Sequence, residues 1–269
     1  MITPLELVKR TPKSNCGKCG HPTCLAFAAL AVKGVADPKS CPFLDLTGLE
    51  LPQAATIHEE QLHQARDLQL IEQLKEKIAP LDFGALAAPL GAGWNRTEPD
   101  ILRFRYLGQE VTLAKRGILL DGGAPEDPRD QILLYNYVHS GGSIPPVGDW
   151  AGLESLPNSI SKVRTLATYC ENRLAEECAP FPLDLVAAAA ERLGGSRRPE
   201  AAASLGVIIP VLPRVPHYLL YWQAEPEDGF PARVKVLFDR RVLDYLDLES
   251  LVFSAERMAD AVMAALPRP

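Results

Sequence analysis

Apolar residues recur along this chain at more than one period, and the changes of period divide it. Residues 25–32 form a short apolar run between two Cys- and Gly-rich stretches and predict a short helix. From Pro52 to Ile78 the composition shifts to Glu, Gln, Lys, His and Leu, with Leu62, Leu68, Leu70, Ile71, Leu74 and Ile78 at loosely helical spacing. That stretch reads as a solvated helix acting as a connector. Pro80, Gly84, Pro89, Gly91 and Gly93 then punctuate a passage read as loop, ending near Pro99.

Beyond it the period falls to two. Residues 101–106 and 109–114 are extended runs that meet at Leu107-Gly108 and predict a hairpin, with 118–120 as a third strand. Helical spacing returns in 128–138, in 159–177 (Ile160, Val163, Leu166, Ala167, Cys170 and Leu174 on one face) and in 183–193, which Gly194-Gly195 stops. Residues 206–212, 218–223 and 233–238 read as strands, the last two separated by the acidic turn 225–229, and 248–266 closes the chain as a helix. Strands, then helices, then strands predict an α+β fold and not a doubly wound sheet. The expected division is a Cys-rich module over 1–50, a helical connector and loop over 51–98, and an α+β domain over 99–269.

The composition of the 269 residues, 47% hydrophobic and 23% charged, suits a globular chain able to bury a sizeable core. A net charge of -6 argues against nucleic acid as the main partner, since phosphate is held by clustered Lys and Arg. No stretch approaches the ~18 consecutive apolar residues of a membrane span, and the first residues lack a basic region followed by an apolar one. The expectation is therefore a cytoplasmic protein away from membranes. The charge is uneven: Lys9, Arg10, Lys13, Lys18, Lys33 and Lys39 outnumber Glu6, Asp37, Asp45 and Glu50, so the first module is the less acidic end.

Four of the six cysteines, Cys16, Cys19, Cys24 and Cys41, crowd this module in the spacing C-x2-C-x4-C-x16-C. Without an export signal such thiols stay reduced, and clustered reduced thiols usually hold metal. Gly17, Gly20 and Pro22 favour a loop that folds back on itself and brings the first three together. Zinc competes, but it usually takes two close ligand pairs, whereas here Cys41 stands alone. A [4Fe-4S] cluster fits better, one loop occupying three corners and the remote Cys41, followed by Pro42, the fourth. The plant-type [2Fe-2S] order C-x4-C-x2-C runs the other way. Leu25, Phe27 and Phe43 are placed to exclude water, and Lys18 to offset part of the cluster's charge.

The stretch Asn15-Cys16-Gly-Lys-Cys19-Gly-His-Pro-Thr-Cys24-Leu-Ala-Phe27, followed by Cys41-Pro42-Phe43-Leu44, resembles the N-terminal [4Fe-4S] module of the corrinoid iron-sulfur protein large subunit of the acetyl-CoA synthase/decarbonylase system. Modules of this kind also occur in the B subunit of Rnf-type electron-transport complexes. The resemblance covers residues 12–46 and implies Cys16, Cys19, Cys24 and Cys41 as ligands of a low-potential, one-electron cluster in an anaerobe, reducing Co(II) to Co(I) in the corrinoid case. It stops there: about 220 residues remain, fewer than the ~250 of a (β/α)8 barrel, and their strand-helix-strand order is wrong for one. The remainder resembles an uncharacterised family found beside such modules, through Asp130-Gln-Ile-Leu-Leu-Tyr135, Gly148-Asp149-Trp150, Leu156-Pro157 and the stretch from Pro213 to Asp239.

Other candidates read more simply. His139-Ser140-Gly141-Gly142 carries part of a cobalt-ligand signature, D-x-H-x-x-G, but Tyr137 stands where the Asp belongs, and a helix ending at a Gly-rich stop explains it. His21 reads as a solvated loop residue. Cys170 and Cys178, two helical turns apart, are too distant for a disulfide and read as buried small hydrophobes. The acidic groups Glu225, Glu227 and Asp228, and Asp239, Asp244, Asp247 and Glu249, read as solvated rather than metal-binding. No phosphate loop, dinucleotide fingerprint, nucleophile elbow or zinc-protease motif occurs. The function expected is an iron-sulfur protein carrying single electrons to a redox partner, a corrinoid protein or methyltransferase. The alternative is a redox- or oxygen-sensing module whose C-terminal domain recognises a partner or small molecule. An enzyme ranks last, because no acid-base or nucleophile set is visible.

Overall fold

The computed structural model describes residues 2–34, 36–47, 56–200, 202–225 and 227–267, with no side chains between 56 and 65. The expected start of the connector at Pro52, the Leu62 side chain, Glu50 and Pro226 of the acidic turn lie outside the described residues. Two compact units form, Met1–Gln69 and Leu70–Pro269. The chain is an α+β protein, as its pattern predicts.

In the first unit, helix α1 (Pro4–Val8) starts at a capping box: Thr3 accepts from the Glu6 amide, and Glu6 accepts from the Thr3 amide at 2.8 Å. Helix α2 (Cys24–Val32) starts at Thr23, whose hydroxyl accepts from the Ala26 amide at 3.0 Å. The two helices enclose a small core of Leu7, Phe27, Ala28, Ala31 and Ala36. The unit boundary falls within helix α3 (Thr56–Ile78). The connector is only partly solvated: Leu68 and Leu70 are exposed, whereas Ile71, Leu74 and Ile78 are buried in the second unit's core.

Residues 83–90, expected as loop, form helix α4 (Phe83–Leu90). Asp82 caps the amides of Gly84 and Ala85, Phe83, Ala87 and Leu90 bury one stripe, and Gly91 closes the helix in the left-handed region. Pro89 falls in the last turn, where it stops propagation without preventing the helix. Strands β1 (Gly93–Asn95), β2 (Glu98–Tyr106), β3 (Gln109–Ala114) and β4 (Gly117–Leu120) form an antiparallel meander. The expected hairpin turns at Leu107 and Gly108, both at positive φ (48° and 83°), the two-residue turn that suits the strand twist.

Helix α5 (Pro128–Ser140) and strand β5 (Trp150–Gly152) follow, then helices α6 (Ile160–Leu166) and α7 (Asn172–Cys178), joined without a break by one π-helical stretch, Ala167–Glu171. Leu166, Cys170 and Leu174 are buried as expected, but Ile160 is 87% exposed at the helix start. The wider π turn brings Glu171 inward beside Cys170, and its carboxylate accepts from the Val236 amide at 3.0 Å. Helix α8 (Leu183–Arg192) precedes strands β6 (Ser196–Arg198), β7 (Leu205–Leu212), β8 (Val215–Trp222) and β9 (Arg233–Asp239). The second sheet is antiparallel throughout, in the order β5-β9-β8-β7-β6. Helix α9 (Leu248–Ala265) buries Leu251, Val252, Ala255, Met258, Ala259 and Val262 along one face and packs on α5 to α8 and β7. Among the described residues no helix is long and apolar enough to cross a membrane.

His217 on β8 is fully sealed in this core. Its Nε2 lies 2.8 Å from Ser254 Oγ, whose hydroxyl also reaches the Leu251 carbonyl at 2.7 Å, and its ring stands edge-on to Phe238 at 4.9 Å. Burial lowers its pKa from 6.5 to about 4. The unfolded chain therefore binds a proton that the folded chain refuses as pH falls from 6.5 towards 4, and stability present above that window is lost within it. Urea unfolding from pH 7 to 4 should show a loss of about 1.4 kcal/mol per pH unit from this group. His217→Gln should remove that component of the slope, and parallel curves for the two proteins would contradict it.

Candidate metal centre

Cys16 and Cys19 sit on the loop between α1 and α2, Cys24 is the first residue of α2, and Cys41 follows a single 3-10 turn, Pro38–Ser40. The first loop folds back through left-handed residues: Lys13 (φ 54°), Asn15 (φ 50°), Gly17 (φ 70°) and Gly20 (φ 81°). The Gly20 amide donates to the Gly17 carbonyl at 2.9 Å, which closes the turn between Cys16 and Cys19. Asn15 Oδ1 accepts from the Cys24 amide at 2.8 Å, so the residue before the first cysteine is tied to the third. The Cys41 loop is anchored from the other side. The Asp45 amide donates to the Arg10 carbonyl at 3.3 Å, and Arg10 Nη1 donates to the Thr47 carbonyl at 2.7 Å.

These two loops meet. Lys18, between Cys16 and Cys19, holds its ammonium 5.1 Å from the centroid of Phe43, two residues after Cys41. Cys19 and Cys41 both pack against the small core around Phe27. All four are free thiols, Cys16 exposed and the others half-buried. The Lys18 amide, then the Ser14 hydroxyl, hold the Cys16 thiol below its ordinary pKa by bonding its thiolate form. The four do not yet converge: among the described residues no three His, Cys, Asp or Glu side chains form a group that could hold a metal ion. In number and chemistry they nevertheless suit a cluster that takes four thiolates.

The surroundings differ from expectation in two respects. Phe27 is fully buried, but Leu25 and Phe43 are 50% and 47% exposed, so they do not screen the thiols from water. His21 is half-buried, its ring 5.7 Å from that of Phe27, and is not simply solvated.

Comparison with known proteins finds one family match within each unit. Residues 12–43 match a family described as "Putative Fe-S cluster". Residues 82–261, about two thirds of the chain, match the domain of unknown function DUF3786. The chain belongs to the DUF3786 family. Its N-terminal part is similar to the corrinoid/iron-sulfur protein large subunit of Moorella thermoacetica, 48% identical over 54 residues, 20% of this chain and 12% of that one. It is 45% identical over 40 residues to the acetyl-CoA decarbonylase/synthase complex subunit gamma 1 of Methanosarcina thermophila, 15% of this chain and 8% of that subunit. Over 49 residues it is 39% identical to the gamma subunit of Methanocaldococcus jannaschii, 18% of this chain and 10% of that subunit. The chain thus spans about a tenth of the length of the curated relatives it matches. No solved structure matches it.

The DUF3786 part holds its polar groups in structural roles. His139 is exposed at the end of α5, while Tyr137 is buried and donates to the Leu90 carbonyl at 2.6 Å. A Cβ on Gly142 would come within 2.2 Å of the Tyr245 ring, so close packing accounts for a glycine there. Asp239 is sealed from solvent and Asp244 half-buried: Asp239 accepts from the amides of Val147, Gly148 and Arg241, and Asp244 from those of Ser143 and Ile144. Asp247 caps α9, and Glu249 pairs with Lys162. Cys170 and Cys178 are buried free thiols, Cys170 donating to the Ala255 carbonyl at 3.3 Å. Burial pushes both thiols up, Cys178 to about 11, which keeps them protonated and unreactive.

A network that sequence reasoning missed lines a cavity of about 1060 Å³ between the β2–β3 turn, the loop before α5 and the end of α9. Buried Asp130 takes two hydrogen bonds at 2.8 Å from the Arg257 guanidinium, and the Tyr106 hydroxyl donates to it at 2.7 Å. Burial first, then the Asp130 charge, push the Tyr106 phenol well up. Arg257 also reaches Asp260 at 3.1 Å. The three residues lie 24 and 127 positions apart along the chain, so no local pattern signals them. Asp130→Ala removes two hydrogen bonds from the Arg257 guanidinium and the acceptor of the Tyr106 hydroxyl but leaves Asp260 and Asp127 beside the cation, and should cost about 1–3 kcal/mol in urea unfolding. The Asp130→Leu/Arg257→Met double variant should cost much less than the two single changes together, and additive costs would show the pair to be uncoupled.

Proposed function

We propose that Cys16, Cys19, Cys24 and Cys41 hold a [4Fe-4S] cluster, and that the protein carries single electrons at low potential for reductive activation of a corrinoid or methyltransferase partner in the cytoplasm of an anaerobe. The observation that carries this reading is the meeting of the two cysteine loops over one small core, within the segment that matches the Fe-S family. The relatives support the partner class, since they are by name a corrinoid/iron-sulfur protein and subunits of the acetyl-CoA decarbonylase/synthase complex. In this arrangement the four thiolates would bind the irons, Gly17 and Gly20 permit the tight turn, the Lys18 amide bonds the Cys16 sulfur, and Phe27 lies buried beneath the loops. The cluster supplies one-electron redox chemistry.

Anaerobic reconstitution of the full chain should give about four irons and four sulfides per molecule and a half-integer-spin EPR signal on reduction. Each Cys→Ala change at the four positions should lower the iron content, whereas Cys170→Ala and Cys178→Ala should not. With a corrinoid protein as acceptor, the reduced holoprotein should drive Co(II) to Co(I), and Cys41→Ala should abolish it. Zinc in place of iron, with no EPR signal, would overturn the redox reading. A high potential with loss of the cluster in air would favour the sensory alternative.

A further inference from the structure

We propose that the cysteine-bearing face of the first unit docks an acidic electron-carrier protein, with Lys13, Lys18 and Lys39 as a cationic rim and Leu25 and Phe43 as the apolar centre. The proposal rests on the reading that the four thiols hold a redox cluster, and it adds the kind of protein that exchanges electrons there.

Charge carries the argument. Lys9, Arg10, Lys13, Lys18, Lys33 and Lys39 are all exposed, and among the described residues none of them lies in an ion pair. In the second unit several exposed cations, among them Arg103, Arg197 and Lys235, sit on carboxylates of their own surface. Cations without a carboxylate of their own are available to an external one. Three of them flank the cysteines in sequence: Lys13 precedes Cys16 by three residues, Lys18 lies between Cys16 and Cys19, and Lys39 precedes Cys41 by two.

Apolar exposure beside the cysteines adds the rest of an interface. Leu25 directly follows Cys24 and is 50% exposed, and Phe43 is 47% exposed with the Lys18 ammonium over its ring. An aromatic centre with a charged rim is the composition of protein docking surfaces, where rim charges steer the approach and apolar contact holds the complex. Nucleic acid makes a poorer occupant, because the chain's net charge of -6 opposes phosphate at long range and an exposed leucine gains little there. A cluster on four thiolates places its own negative charge at the centre of the face, so the rim lysines are the groups that meet a partner's carboxylates.

The test uses the reconstituted full chain in stopped flow. One electron passes from a dithionite-reduced, acidic two-cluster ferredoxin to the oxidised holoprotein, oxidising one ferredoxin cluster and reducing the bound one. In a second arm the reduced holoprotein gives one electron to cytochrome c, a basic protein. The ferredoxin rate should fall steeply as salt rises, and should fall about fivefold or more in the K13E/K39E variant at low salt, with iron content and EPR signal unchanged. The cytochrome c rate should rise in the same variant. A ferredoxin rate indifferent to salt and to the two charge reversals would overturn the proposal. So would salt-sensitive retention of the holoprotein, but not of the double variant, by phosphatidylglycerol vesicles or duplex DNA in place of ferredoxin. Absence of iron in the parent protein is a different failure, that of the cluster itself.

Discussion

Among the described residues of the first unit, Leu7 and Phe27 are the two large side chains sealed away completely, with Ala28, Ala31 and Ala36 beside them. Burying each large side chain contributes about 2–3 kcal/mol. Ordering each residue of a loop costs about 1–2 kcal/mol of backbone entropy. A unit with so little to bury cannot order two long loops by apolar contact alone, and units of this size usually gain what they lack from disulfides or metal. That shortage makes the four thiols intelligible. The same loops carry the left-handed residues, the half-exposed cysteines and the unpaired lysines, so stability and chemistry in this unit draw on one small set of residues.

The second unit faces no such shortage. Two antiparallel sheets and the helices around them share one continuous core, and α9 reaches α5, α6, α7 and α8 from a single apolar face. With burial ample, its buried charges serve to pin chain segments rather than to supply stability. Asp239 and Asp244 hold the loop from Ser143 to Gly148 by its amides, Glu171 occupies the Val236 amide beyond the end of β5, and Arg257 joins α9 to α5 through Asp130. Each is a contact between residues far apart in the chain, and each leaves its carboxylate committed to a structural partner. Domain and module are thus organised by opposite balances of apolar surface and polar chemistry, which accords with their matching two different families.

Much of this was legible along the chain wherever a local period or a turn residue decided the outcome. The Leu107-Gly108 hairpin, α5, α8 with its Gly194 stop, and α9 follow from spacing and caps that act over a few residues. Elements decided elsewhere were missed. Strands β1, β5 and β6 are three residues each, too short to show alternation, and exist because a longer strand lies beside them. Helix α4 was hidden by Pro89 and two glycines, yet its buried stripe and its Asp82 cap outweigh them. Ile160 fits the helical period but sits in the first turn of its helix, beyond the reach of the core.

What the sequence determined by itself is the kind of chemistry and its location: the C-x2-C-x4-C-x16-C spacing, the glycines that let the loop reverse, and the α+β order of the remainder are all properties of neighbours in the chain. Tertiary structure alone decided which of those residues meet water and which meet one another. It buried Phe27 but left Leu25 and Phe43 exposed, set Lys18 over Phe43, and closed Tyr106, Asp130 and Arg257 into one network. The reason is physical: a thiol's affinity for metal or a glycine's left-handed backbone belongs to the residue, whereas burial and pairing belong to whatever the fold brings alongside it.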